Sequence, residues 1–112
     1  MLTVFGSTAL DTIRTPTKVL KDVLGGAATF ASISASFFVK PRLIAVVGKD
    51  FPKKYYKILA ERLDLSGLSI KDGKTFRYAG SYDNTLSLRT TLRTDLNVLK
   101  NFKPIVDRKS VV

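Results

Sequence analysis

Leu43-Ile44-Ala45-Val46-Val47-Gly48 is an unbroken apolar run of strand length, and it constrains the fold more than any other stretch. A strand with one wet face alternates apolar and polar residues. A strand without alternation is covered on both faces, as in the centre of a parallel α/β sheet. The flanking sequence agrees: Lys40-Pro41 closes whatever helix precedes the run. Gly48-Lys49-Asp50-Phe51-Pro52 follows it as a loop at the strand's carboxyl end, the edge at which open α/β sheets hold ligands.

The residues before the run supply the rest of a βαβ unit with a right-handed crossover. Leu2-Thr3-Val4-Phe5-Gly6 is short, apolar and β-favouring, so it reads as a first strand delivering a loop to the same edge. Asp11 is expected just past that strand, either accepting hydrogen bonds from a ligand's hydroxyls or bonding its own backbone in a turn. Thr12-Ile13-Arg14-Thr15 is a brief second strand stopped by Pro16. Gly25 and Gly26 then open onto a helix predicted from Ala27 to Phe38, with small or apolar residues at helical spacing: Ala27, Phe30, Ala31, Ser34, Phe37 and Phe38. Paired glycines let a ligand or strand come close, and unpaired amides at the helix start would hold a polar or anionic group. Ordinary turn chemistry accounts for the same pair. No charge falls between Asp22 and Lys40, but Thr29, Ser32, Ser34 and Ser36 make the stretch too polar for a membrane span of roughly 20 residues.

Beyond the central strand, Asp50 as a cap and Pro52 in the first turn introduce a second helix with the stripe Phe51, Tyr55, Ile58, Leu59 and Leu63. Lys71-Asp72-Gly73 carries a hairpin signal and leads to an alternating strand, with Phe76, Tyr78 and Gly80 facing one way and Thr75, Arg77 and Ala79 the other. Leu86 to Leu92 alternates too, with Asp83-Asn84 as the turn between the two strands. Alternation means one covered face, so the expectation is a small antiparallel flap on the α/β layer, a candidate lid over a crevice. Leu96, Val98, Leu99 and Phe102 form a short helix or irregular segment, and an apolar strand begins at the last residues, Arg108 to Val112.

Composition narrows the chemistry. The 112 residues suffice for one domain with a modest core. With no cysteine and no histidine, disulfides, thiolate chemistry and the commonest general base are excluded. The net charge of +10 is uneven: residues 1–39 hold three basic and two acidic groups, residues 40–112 sixteen and seven. The basic residues are scattered and form no dense run, which favours a solvated surface over a nucleic-acid patch. The first residues lack the basic and apolar regions of a signal peptide, so the expected location is cytoplasmic.

Taken in order, Val4-Phe5-Gly6 with Asp11, Gly25-Gly26-Ala27-Ala28 opening a helix, Val46-Val47-Gly48-Lys49-Asp50, and Gly73-Lys74-Thr75-Phe76-Arg77-Tyr78 resemble the N-terminal part of the ribokinase-like (PfkB) carbohydrate kinases over nearly the whole chain. The resemblance implies an α/β, ribokinase-like fold: a partial parallel βαβ sheet with a small antiparallel β lid, its lid strands at approximately 12–16 and 72–92. It implies ATP- and Mg2+-dependent transfer of phosphate to a hydroxyl of a sugar or nucleoside. Asp11 would bind substrate hydroxyls, Gly25 and Gly26 would bring amides to the acceptor and act as the lid hinge, and Gly48 and Asp50 would form a second loop beside the crevice. Phe76 and Tyr78 would either stack on an acceptor ring or form the core of the flap, and Arg77 is a further candidate. Lids of this family can join between subunits, so a homodimer through residues near Tyr78 to Leu92 is compatible.

Two departures qualify the resemblance. Phe30 stands where many members carry an acceptor-binding asparagine, leaving the choice between sugar and nucleoside open. The family's Gly-Ala-Gly-Asp segment, source of the general base and anion hole, is absent, so this chain is expected to bind no ATP or Mg2+ and to contribute no catalytic residue. It reads as the substrate-binding and lid portion of a longer enzyme, inactive alone. The competing readings are a non-catalytic interaction or dimerisation module and a basic nucleic-acid binder.

Overall fold

In the computed structural model, which describes residues 2–83 and 89–102, the strands sort into two sheets. The chain runs β1 (Thr3–Phe5), β2 (Ala9–Arg14), β3 (Val19–Gly25), α1 (Ala27–Ala35), β4 (Arg42–Gly48), α2 (Lys53–Arg62), β5 (Leu68–Lys71), β6 (Phe76–Tyr82), β7 (Arg89–Asp95) and a 3-10 turn, Asn97–Asn101. The base sheet has the order β1-β4-β5 and is parallel throughout. The unbroken apolar run forms its central strand, and Leu43 through Gly48 are all buried. The second sheet has the order β3-β2-β6-β7; its outer pairs are antiparallel and its central β2–β6 pair is parallel.

One core joins the layers. Leu43, Ala45 and Val47 point from β4 toward Ala28 of α1 and Phe51, Leu59 and Leu63 around α2, and Leu10 of β2 enters the same cluster. Phe51 packs its ring on Tyr55 and edge-on against Tyr56, at centroid distances of 5.9 and 5.1 Å.

Several sequence expectations are corrected by this arrangement. The helix expected over Ala27–Phe38 ends at Ala35, with hydrogen-bonded turns continuing to Val39. Its inward face is also the reverse of the one expected. Ala28, Thr29 and Ser32 are buried, whereas Phe30, Phe37 and Phe38 are exposed, Phe38 at 88%. The reason is close packing: small residues let the helix approach the strands, and their hydroxyls are satisfied internally. Thr29 Oγ1 donates to Thr8 Oγ1 at 3.1 Å and Ser32 Oγ donates to the Thr29 carbonyl at 3.0 Å. A helix with no charge on any side offers the periodicity argument nothing to distinguish inside from outside. Ile58 of α2, expected in the apolar stripe, is likewise exposed.

Asp72-Gly73 does not close a hairpin. β5 is taken by the free edge of β4, and β6 crosses to the other sheet to pair with β2 and β7. The strands expected to form a lid reach further in sequence, since Ala9–Gly25 contributes two full strands and β7 extends to Asp95. Asn84 and Leu86–Leu88 of the expected turn and strand, and the apolar strand expected at Arg108–Val112, lie outside the described residues.

Leu59 is fully buried, so Leu59→Ala is expected to lower stability by about 2–5 kcal/mol. Phe38→Ser, on the open face of α1, is expected to stay within about 0.5 kcal/mol of the parent. Thermal melts of the two variants check the inverted face, which fails if Phe38→Ser proves the more damaging.

Candidate functional site

The glycine pair, β2 and the β4–α2 loop meet at one end of the molecule. Asp11 does not lie in a loop as expected; it is an interior residue of β2, opposite Val23 of β3 and Tyr78 of β6. Its apolar neighbour Leu10 is drawn into the core, and pairing on both sides overrides the turn preference of aspartate. The register places Ala9, Asp11 and Ile13 on one face of the lid sheet with Phe76, Tyr78 and Gly80. Leu10 and Thr12 share the opposite face with Arg77 and Ala79.

Asp11 carries an unmet requirement. Its Oδ1 is buried without a hydrogen-bond partner among the described residues, and burial pushes its carboxyl above the ordinary carboxylate range. The carboxylate leans over Gly25, where any Cβ would collide with it. Gly26 is needed for a different reason: it sits at φ 101°, and a Cβ there would lie 2.5 Å from the Ser7 carbonyl oxygen. Two of the amides expected to be free at the start of α1 are occupied. Ala27 N–H donates to Ser7 Oγ and Ala28 N–H to the Ser7 carbonyl, both at 3.0 Å.

Gly48, Asp50 and Arg77 form a second cluster, engaged with one another. Gly48 N–H donates to Thr75 Oγ1 at 2.9 Å. Asp50 Oδ1 accepts from the Thr75 amide at 2.8 Å and the Thr75 hydroxyl at 2.7 Å, and Asp50 Oδ2 accepts from Arg77 Nη2 at 2.8 Å. Asp50 therefore does not cap α2, whose N-cap is Pro52 with no side-chain hydrogen bond. Arg77 Nη1 also pairs with Asp22 Oδ1. Burial alone would raise the Asp50 carboxyl, but the Thr75 donors and the Arg77 guanidinium outweigh it and hold the group below its usual range. Burial would lower Arg77, and its two carboxylate partners raise it instead.

Of the residues expected to face an acceptor, the structure brings Asp11, Gly25 and Phe76 onto one face of the second sheet, leaves Gly26 against the Ser7 backbone, and puts Arg77 on the other face with Asp50. Sequence reasoning missed Ser7, Asp22 and Thr75. Thr75 was readable as a polar residue bordering a strand, but nothing in its spacing names Asp50 as its partner. No three acidic side chains converge as a metal site among the described residues.

The fold has counterparts among solved structures. A nucleoside kinase of Methanocaldococcus jannaschii, described as an archaeal member of the ribokinase family, superposes with a TM-score of 0.66 at 23% identity, covering 88% of this chain and 38% of that one. Ribokinase from Cryptococcus neoformans in complex with ADP gives 0.74 at 17% identity, covering 86% and 34%. The fold is ribokinase-like. A nucleoside kinase of Burkholderia thailandensis in complex with inosine gives 0.73 at 16% identity, covering 87% of this chain and 37% of that one. In sequence, a cytidine kinase of Thermococcus kodakarensis is 37% identical over 75 residues, which is 66% of this chain but only 27% of the relative. No protein-family model matches the chain. No described helix is long and apolar enough to cross a membrane.

Because the folded-state Asp50 carboxyl is depressed, its contribution to stability is present above the ordinary carboxylate value of about 4 and is lost as pH falls through the lowered value. Asp50→Asn is therefore expected to lower the melting temperature at pH 7, with the gap to the parent narrowing toward about pH 3. A gap that stays constant across this range would show that the Asp50 charge contributes nothing.

Proposed function

We propose that the chain is the acceptor-binding and lid part of an ATP-dependent kinase that transfers phosphate to a hydroxyl group of a nucleoside or sugar. In this reading, residues 1–112 are the N-terminal part of the kinase domain, with the nucleotide-binding part outside them. The observation that carries it is Asp11. A buried acceptor oxygen without a donor costs roughly 1–3 kcal/mol, and a ligand hydroxyl brought beside Gly25 removes that cost.

Gly25 leaves room for the Asp11 carboxylate and Gly26 sets the chain's entry into α1, while Phe76 shares the Asp11 face of the lid. Gly48, Asp50 and Arg77 hold the lid to the base and do not themselves contact the acceptor. A nucleoside is favoured over a simple sugar by the cytidine kinase relative, since Phe30 at the position of the family's asparagine leaves that choice open. Phe30 adds no polar contact for a polyhydroxylated ligand. In this reading the ATP- and Mg2+-binding part lies outside these residues. No step of phosphoryl transfer is assigned to this chain, which by itself would be inactive. A homodimer through the lid belongs to the same proposal, supported by β7, an edge strand whose residues are largely exposed. A cytoplasmic location belongs to it as well.

Cytidine titrated into the chain is expected to bind, and Asp11→Asn to weaken binding by about tenfold or more, equivalent to ~1.4 kcal/mol. The same substitution is expected to raise the melting temperature at pH 7. A carboxyl whose folded-state value is raised contributes stability below the ordinary carboxylate range and loses it as pH rises, so a neutral amide removes the penalty. Calorimetry and thermal melts check both halves. Unchanged cytidine affinity in Asp11→Asn overturns the site, and binding of ribose in preference to cytidine overturns the nucleoside reading.

A further inference from the structure

Arg77 lies on β6 opposite Leu10, the residue next to Asp11 in the central lid strand β2. From there its guanidinium reaches two carboxylates on different elements: Asp22 on β3, at the far side of β2, and Asp50 in the loop that leaves the base strand β4. The planar fork of arginine suits such a double contact, which a lysine ammonium reproduces only as a point charge. Asp22 is itself unusual. The β2–β3 register sets Asp11 against Val23 and Ile13 against Leu20, so Lys21 and Asp22 together oppose the single residue Thr12. Asp22 is the left-handed member of that bulge, with φ 55°. Bulges of this kind re-aim side chains and recur beside functional sites. A non-glycine residue in this conformation is strained and persists only where its surroundings hold it. Tyr55 of α2 does so directly, its hydroxyl donating to the Asp22 carbonyl at 2.8 Å.

We infer that Arg77, Asp22 and Asp50 are a positioning latch that clamps both flanks of β2 to the base and so fixes the Asp11 carboxylate over Gly25. The inference rests on the reading of Asp11 as the acceptor-binding group, but the latch has consequences that need no ligand. β2 is gripped through β6 by Arg77 and through β3 by Asp22, and both grips end on the β4–α2 region through Asp50 and Tyr55. Release of the guanidinium leaves three chain crossings, the Thr75 bonds to Gly48 and Asp50, the Tyr55 bond to the Asp22 carbonyl and the core contact of Leu10 as the remaining ties. With fewer ties on that side, β2 and β3 open more readily while the base sheet stays intact.

The test is hydrogen exchange on the 112-residue chain carrying Arg77→Met, Asp22→Asn, both together, or Arg77→Lys, with cytidine titrated into each. Arg77→Met is expected to speed exchange of β2 and β3 amides about tenfold with those of β4 unchanged, and to weaken cytidine binding by a similar factor. Asp22→Asn keeps the shape of the side chain and is expected to give a smaller effect of the same pattern, adding nothing in the Arg77→Met background. Arg77→Lys restores part of both. Equal acceleration in β4, failure of Arg77→Met and Asp22→Asn alike to fold, or unchanged exchange in β2 and β3 overturns the latch. Cytidine failing to bind the parent while the exchange pattern holds overturns the acceptor reading and the claim of positioning for it, and leaves only the mechanical clamp standing.

Discussion

The connection between the two sheets runs through one buried hydroxyl. Thr75 is fully buried at the point where the chain leaves the base to begin β6; it accepts from Gly48 N–H and donates to Asp50. Its backbone amide bonds the same carboxylate. The end of the central base strand, the loop toward α2 and the start of the central lid pair are thus tied at one residue. Placement of β6 fixes β2 through six consecutive parallel pairs, and β2 carries Asp11. A satisfied polar junction in a low-dielectric setting is stiff, because each group left unpaired would bear its full desolvation cost. The two sheets keep one mutual orientation for this reason as well as through the shared apolar cluster around Leu10.

What the sequence disclosed and what it concealed divide along this junction. The central strand was legible because a run from Leu43 to Val47 has few ways to avoid water other than burial on both faces. The second helix was legible from Phe51, Leu59 and Leu63, all buried. Strand partnership was not: Asp72-Gly73 signals a change of direction but carries no information about which edge the next strand joins, and here β6 joins a strand more than 60 residues earlier. The inward face of α1 was hidden because Ala28, Thr29 and Ser32 are less apolar than the phenylalanines on the opposite side. Closeness of approach, set by side-chain size, outweighed hydrophobicity there.

The candidate site was legible in its members more than in their roles. Gly25, Gly26 and Asp11 stand out by type and spacing, and the structure brings Gly25 and Asp11 into direct apposition. The sequence could not separate Arg77 from Phe76, since adjacent residues on a strand differ in role through the face each presents. One face of the lid sheet meets the core and the β4–α2 loop, and a charge arriving there is taken up by Asp50 and Asp22. The other face holds the carboxylate with no donor.

A sequence that specifies its fold satisfies local preference, pairing and polar burial together, and departures gather where function requires them. Some stand apart, such as the buried Thr3 and Tyr56 hydroxyls and the left-handed Asn97, but three meet in one small region. An aspartate lies inside a strand with a buried oxygen unpaired, a second aspartate takes a left-handed conformation in a bulge beside it, and a glycine occupies a position no side chain could share with the first carboxylate. Each departure lowers stability on its own, and packing explains none of them, since Leu10 and Leu24 on the same strands already supply the apolar contacts. A ligand that donates hydrogen bonds to Asp11 would relieve the first directly, and the second keeps the first in place. The physical case for an acceptor site at Asp11 lies in this concentration of unfavourable choices around one carboxylate.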